Sequence, residues 1–157
     1  METAIVESGL VVAVIGAAFS VVLSGIGSSL GICLGGTKGA GVLAEKSHLF
    51  GKVLPLVALP GSQGFYGLLI SIFILMKIDI FGEGAAISAE VGYQLLAAGI
   101  LMGIAGLTSA WLQGYVVAAS VGAVARDESL SVRAIILSAL IETYAILGLL
   151  IAMFLTL

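Results

Sequence analysis

Residues 91–125 read VGYQLLAAGILMGIAGLTSAWLQGYVVAASVGAVA, 35 residues without one Asp, Glu, Lys or Arg. A hydrocarbon core about 30 Å thick is crossed by roughly 20 residues of helix, so this stretch spans a bilayer with turns to spare. Three similar windows surround it. Residues 8–37 and 53–76 carry no charge, and residues 134–157 carry one, Glu142. Charged residues make up 10% of the 157-residue chain, against about 25% in soluble domains. Apolar residues reach 61% and the mean hydropathy is +1.26. These values exclude a disordered chain and weigh against a water-soluble globule. Six Lys plus Arg and a net charge of −3 exclude a nucleic-acid partner. The expected fold is an all-α membrane protein with four transmembrane helices, near residues 8–42, 50–78, 88–125 and 130–156. They form two hairpins, residues 1–80 and 81–157.

The connections set the expected orientation. The first holds Lys38, Lys46 and Lys52, and the third holds Arg126 and Arg133. The second holds Lys77 among Asp79, Glu83 and Glu90. Basic residues collect on the cytoplasmic side, which puts connections one and three in the cytoplasm and both termini opposite. The start, Met1-Glu2 with Glu7 following, lacks the basic region of a cleaved signal. Cys33 stands alone, so no intrachain disulfide forms, and His48 reads as a solvated loop residue.

The two halves look duplicated. Gly67-Leu68-Leu69-Ile70 recurs as Gly148-Leu149-Leu150-Ile151, 81 residues later. Each half carries a basic loop on the same side, so the halves run parallel rather than inverted, unlike transporters built on inverted repeats. Small residues repeat every four positions: Gly27, Gly31, Gly35 and Gly39, then Gly16, Ser20, Ser24 and Ser28. The third span repeats the pattern in Gly99 and Gly103, and in Gly114, Ala118 and Gly122. Such stripes let helix backbones approach closely in lipid. They are densest in spans one and three, which are therefore expected to form an inner layer with spans two and four outside.

Glu142 is the one charge inside a window. A carboxylate near mid-membrane costs about 2.5–3.5 kcal/mol on insertion scales, which makes it a functional candidate by default. Counted from the basic residue at each cytoplasmic end, Gln63, Gln113 and Glu142 lie at depths of about 14–20 Å at 1.5 Å per residue. Ser62 and Tyr66 are one turn apart on the face that Gln63 shares. This set is mostly oxygen, which suits a hard cation, and no thiol or imidazole accompanies it. Taken singly, either glutamine could be interhelical hydrogen-bond glue. Taken with Glu142, the set favours a small monovalent cation such as Na⁺, with Tyr66 donating to the carboxylate. Pro60-Gly61 should bend the second span just before this cluster, because proline frees the carbonyl four residues back.

Two runs carry a family resemblance: Leu59-Pro60-Gly61-Ser62-Gln63-Gly64-Phe65-Tyr66-Gly67 and Ile141-Glu142-Thr143-Tyr144-Ala145-Ile146-Leu147-Gly148. They resemble the ion-binding segments of the V-type ATPase rotor-ring proteolipid, most of all the sodium-translocating bacterial kind called the K subunit. The likeness covers all four spans, and the Glu-Thr-Tyr-Ala-Ile-Leu-Gly run is its most specific element. It implies a Na⁺ site made by Ser62, Gln63, Gln113 and Glu142 with the main-chain carbonyl of Leu59. Tyr66 would bond to Glu142, with Pro60, Gly61 and Thr143 in support. The sodium-type pattern usually has Thr where this chain has Ser62, which touches affinity more than ion identity. Proton-carrying members generally lack the two glutamines, so Gln63 and Gln113 bear the choice between Na⁺ and H⁺. In the internal alignment Gly61 stands opposite Glu142, so one chain offers one carboxylate for four helices.

The resemblance further implies a homo-oligomeric ring with lipid about it in a bacterial cell membrane. A stator subunit with an essential arginine would face Glu142, and central-stalk subunits would meet the cytoplasmic loops. No GxxxxGK[ST] nucleotide motif occurs in the chain, so ATP hydrolysis belongs to partner subunits and the chain is not an enzyme by itself. Two other classes remain at this point. One is a small stand-alone cation carrier; the other is a structural tetraspan protein in which Glu142 only pairs with a neighbour.

Overall fold

The computed structural model describes residues 2–80, 82 and 87–157, with side chains from Gly9 onward. Met1, Glu83 and the side chains of Glu2 and Glu7 lie outside the described residues. Among the described residues five α-helices follow one another: α1 (Glu2–Glu45), α2 (Phe50–Ala58), α3 (Ser62–Lys77), α4 (Ala89–Arg126) and α5 (Ser131–Thr156). They make four segments long and apolar enough to cross a membrane, Gly9–Glu45, Ser47–Lys77, Ala89–Arg126 and Glu128–Thr156. No strand occurs among the described residues. At 1.5 Å per residue, α4 alone is about 57 Å long, so it projects well past a hydrocarbon core of about 30 Å.

The second segment is two helices joined by a single 3₁₀ turn, Leu59–Gly61. Proline cannot donate to the carbonyl four residues back. Leu59 compensates, donating its N–H to the Leu56 carbonyl in the tighter i−3 pattern. Pro60 is buried at this turn.

The closest packing is between α1 and α4, and the small-residue stripes explain it. Gly9 meets Gly92, Gly16 meets Gly99 and Gly31 meets Gly114, each pair 83 residues apart. This constant difference means that α1 and α4 run parallel in one register. The contacts are backbone on backbone: a Cβ on Gly99 would land on the Gly16 carbonyl, and one on Gly114 would sit 2.6 Å from the Gly31 Cα. The packing register differs by two residues, about 3 Å of helix rise, from the 81-residue offset between the repeated Gly-Leu-Leu-Ile runs.

The stripe on α1 is shared between two neighbours. Gly27 and Gly31 face α4, while Gly39 faces Val53 and Val57 of α2. Ser20 donates to the Gly67 carbonyl on α3 (2.9 Å), and Ser24 donates to the Met102 carbonyl on α4 (3.3 Å). Helix α5 packs on α4 and touches α3, and much of its remaining surface is apolar and exposed, including Leu137, Leu140 and Phe154.

At the end that carries the basic connections, the 3₁₀ turn Glu128–Leu130 before α5 is tied back to the first connection and to α2. Lys52 Nζ lies 2.6 Å from one Glu128 oxygen, and His48 Nε2 lies 3.0 Å from the other. His48 is thus exposed, as expected, and also paired. Asp127 turns the chain between α4 and α5. The Ser129 hydroxyl and N–H hold its carboxyl below the usual carboxylate range.

Candidate functional site

The restart of the second segment at Ser62 places its side chains. A helix that begins after a break has N–H groups without intrahelical acceptors. Here the N–H of Gly64 donates to Ser28 Oγ on α1 (2.8 Å). Pro60 packs against α1 at Gly31, where a Cβ would come within 2.6 Å of the proline ring. The break is thereby held between α1 and α4 rather than left to flex. Ser28 was only one small residue in a stripe in the sequence reading. The signal that could have found it is the Pro-Gly break itself, since a restarted helix needs an acceptor from outside.

From this pinned turn a chain of polar groups crosses to α4 and α5. Ser62 Oγ donates to the Leu59 carbonyl (3.0 Å) and lies 3.2 Å from Gln63 Oε1. Gln63 Nε2 donates to Gln113 Oε1 (2.7 Å). Gln113 Nε2 donates to the Ser138 carbonyl on α5 (3.0 Å). Both glutamines are 0% exposed, so leaving either amide unpaired would carry the full cost of a buried orphan. Among the described residues no buried side-chain polar atom lacks a partner.

The carboxylate forms a second group. Tyr66 donates its phenolic O–H to Glu142 Oε1 (2.7 Å), and both residues are half-buried. Tyr66 stands one turn beyond Ser62, and the carbonyl that Gln113 reaches belongs to Ser138, one turn before Glu142. The two groups are therefore neighbours along the same helices. No hydrogen bond joins the carboxylate to either glutamine.

Of the residues singled out from sequence, Leu59, Ser62, Gln63 and Gln113 come together in one hydrogen-bonded chain. Tyr66 and Glu142 come together beside it. Gly61 lies at the break and its carbonyl is 3.5 Å from Ser28 Oγ. Thr143 is exposed and donates to the Leu140 carbonyl of its own helix (2.7 Å), apart from the cluster. The sequence reading missed Ser138, whose part is played by its main-chain carbonyl. No sequence signal could have found it, since every residue type supplies that atom.

Chemically, the cluster offers a carbonyl, a hydroxyl, two amide oxygens and one carboxylate inside apolar helices. Hard cations such as calcium take oxygen ligands at roughly 2.3–2.6 Å, which sets neighbouring ligand oxygens a little over 3 Å apart. The Ser62 hydroxyl lies 3.0 Å from the Leu59 carbonyl and 3.2 Å from Gln63 Oε1, close to that spacing.

Comparison with known proteins gives matches in both halves. A family model for the C subunit of ATP synthase matches residues 15–74 and again residues 96–155. The chain is 41% identical over 146 residues to the A-type ATP synthase subunit K of Methanocaldococcus jannaschii, covering 93% of this chain and 62% of that protein's length. It is 36% identical over 151 residues to the V-type sodium ATPase subunit K of Enterococcus hirae, covering 96% and 94%. The V-type proton ATPase 16 kDa proteolipid of Nephrops norvegicus is 28% identical over 142 residues, covering 90% and 87%. Two tandem matches over parallel halves account for the duplicated hairpin and its four apolar segments, and the chain, an integral multi-pass membrane protein, belongs to the ATP synthase C-subunit family.

Proposed function

We propose that this chain is the ion-carrying proteolipid of the rotor ring of a V- or A-type ATPase and that its cargo is Na⁺, one ion per chain. The observation that carries the reading is the hydrogen-bonded chain Leu59–Ser62–Gln63–Gln113, with both glutamines fully buried, next to the single membrane carboxylate. A proton needs Glu142 and one donor, which Tyr66 supplies. Two fully buried amides in addition are more than a proton requires and suit a hard cation. The sodium ATPase subunit among the relatives supports the same choice.

In this reading Na⁺ sits among Glu142, Gln63, Gln113, Ser62 and the Leu59 carbonyl. Ser62 gives up its hydrogen bonds as its oxygen turns to the ion, and Tyr66 keeps the carboxylate in place. Occupied, the site is neutral and passes through lipid at little cost. Empty, the carboxylate is costly in lipid and is drawn to the arginine of a stator subunit. Moving one charge across 100 mV is worth about 2.3 kcal/mol, and ATP hydrolysis in soluble partners supplies that work. The chain itself is a non-catalytic subunit. Copies form the ring with α1 and α4 inside. The basic connections face the cytoplasm and the central stalk, and both termini lie on the other side of a bacterial membrane.

Carbodiimide labelling of Glu142 in the purified protein tests the ion. Protection by millimolar or lower Na⁺ at neutral pH is expected, with no labelling in Glu142→Gln. Labelling that follows pH and ignores Na⁺ would assign the site to H⁺ and return the glutamines to helix packing.

A further inference from the structure

Gln113 can present either end of its amide, and a cation site needs the oxygen. A carbonyl oxygen only accepts. The Ser138 carbonyl therefore meets the Gln113 NH₂ group (3.0 Å), which turns Gln113 Oε1 to Gln63 Nε2 (2.7 Å) and leaves Gln63 Oε1 beside Ser62 (3.2 Å). One main-chain atom of α5 thus sets the direction of both amides. With either amide reversed, an NH₂ group would stand where a hard cation wants oxygen. The same carbonyl is the helical acceptor of the Glu142 N–H four residues on, so its height also sets that of the carboxylate's backbone.

The side chain of the same residue ties this carbonyl to α4. Ser138 Oγ donates to the Ala134 carbonyl (2.9 Å), the i−4 bond open to a serine inside a helix. That bond uses its one hydrogen, so in the 3.4 Å contact between Ser120 Oγ and Ser138 Oγ the donor is Ser120. Ser120 follows Gln113 by seven residues, two turns and about 10 Å along the same face of α4. Helix α5 runs back along α4, with Gly148 against Ala105. Side chains lean toward the N-terminus of their own helix, and carbonyls point toward its C-terminus. Ser138 therefore bridges those two turns, its hydroxyl on Ser120 and its carbonyl on Gln113. Ser120 and Ser138 are 5% and 0% exposed within a single chain, so a neighbouring copy in a ring does not compete for the contact.

We propose that Ser120 and Ser138 are positioning residues for the ion site: their hydroxyl pair holds α5 at the height where the Ser138 carbonyl takes the Gln113 N–H, and so keeps the glutamine oxygens turned to the ion. The proposal rests on Na⁺ as the cargo of Glu142.

The test measures the Na⁺ concentration that half-protects Glu142 from carbodiimide in the assembled parent protein, in Ser120→Ala, in Ser138→Ala and in the double variant, all well below their melting temperatures. Each variant should need about three- to tenfold more Na⁺; about threefold is the worth of an average hydrogen bond between membrane helices. The double variant should match the singles, since all three break one contact. Ser109→Ala removes a buried hydroxyl of α4 one turn from Gln113 that bonds only within its own helix, and it should match the parent. Lower melting of the Na⁺-free serine variants with an unchanged half-protection point would make the pair structural only and overturn the proposal. An equal rise in Ser109→Ala would also overturn it, in favour of a general loosening of α4. A parent that Na⁺ does not protect overturns the ion reading and the positioning role together, whereas a protected parent with unchanged variants overturns the positioning role alone.

Discussion

Gln113→Leu separates the two roles open to the buried amides. The substitution keeps nearly the same volume and removes both ends of the side chain's bonding. Gln63 Nε2 loses its acceptor at 2.7 Å, and the Ser138 carbonyl loses a donor at 3.0 Å. Gln63 is 0% exposed, so its orphaned N–H cannot turn to water. An unsatisfied buried group costs about 1–3 kcal/mol, and interhelical hydrogen bonds measured inside a membrane average about 0.6 with a maximum near 1.7 kcal/mol. A stability loss of about 1–2 kcal/mol is therefore expected, small enough for the four helices to stay assembled. The ion should feel more. It loses the Gln113 oxygen, and Gln63, freed of its partner, no longer holds its own oxygen beside Ser62. A loss of about 1.4 kcal/mol is already tenfold, so the Na⁺ concentration that half-protects Glu142 from carbodiimide should rise at least tenfold. Thermal unfolding in detergent with and without Na⁺ provides the second readout. Sodium should stabilise the parent protein and do so much less in the variant. An unchanged half-protection point in a variant that melts lower would refute the reasoning and leave Gln113 as helix glue.

Three further substitutions probe separate parts of the site. Ser62→Thr keeps the hydroxyl and adds a methyl that narrows its rotamers; a Na⁺ half-protection point equal to or several-fold below that of the parent is expected, and a large rise would show that the side chain at 62 does not face the ion. Tyr66→Phe leaves Glu142 Oε1 without its 2.7 Å donor, so Na⁺ protection should weaken several-fold while melting of the Na⁺-free protein changes little; equal protection would remove Tyr66 from the site. Gly99→Leu drives a side chain into the Gly16 carbonyl, and the protein should fail to assemble when extracted in detergent, whereas Gly25→Leu, at a position open to its surroundings, should assemble as the parent does.

The sequence by itself determined the spans and the carboxylate. Bilayer thickness and the cost of charge in hydrocarbon act on composition, so four charge-poor windows and one intruding Glu142 are legible without coordinates. The Pro60-Gly61 break was legible too, because a missing N–H is a property of the residue. Tertiary structure decided the rest. A stripe of glycines announces close packing but not against which helix, and only the fold shows the 83-residue register of α1 on α4 and the turn of Gly39 toward α2. Depth counting set Gln63, Gln113 and Glu142 in one layer, but rotation of each helix about its axis decides who bonds to whom. That rotation divides the cluster into an amide chain and a carboxylate–phenol pair. Thr143 stood in the most specific run of the sequence and is turned outward by the same rotation. The Pro-Gly break signals a need for an outside acceptor, but only three dimensions show that Ser28 meets it and that the Ser138 carbonyl meets Gln113. One answers a need created 36 residues away along the chain, and the other is a main-chain atom that every residue possesses.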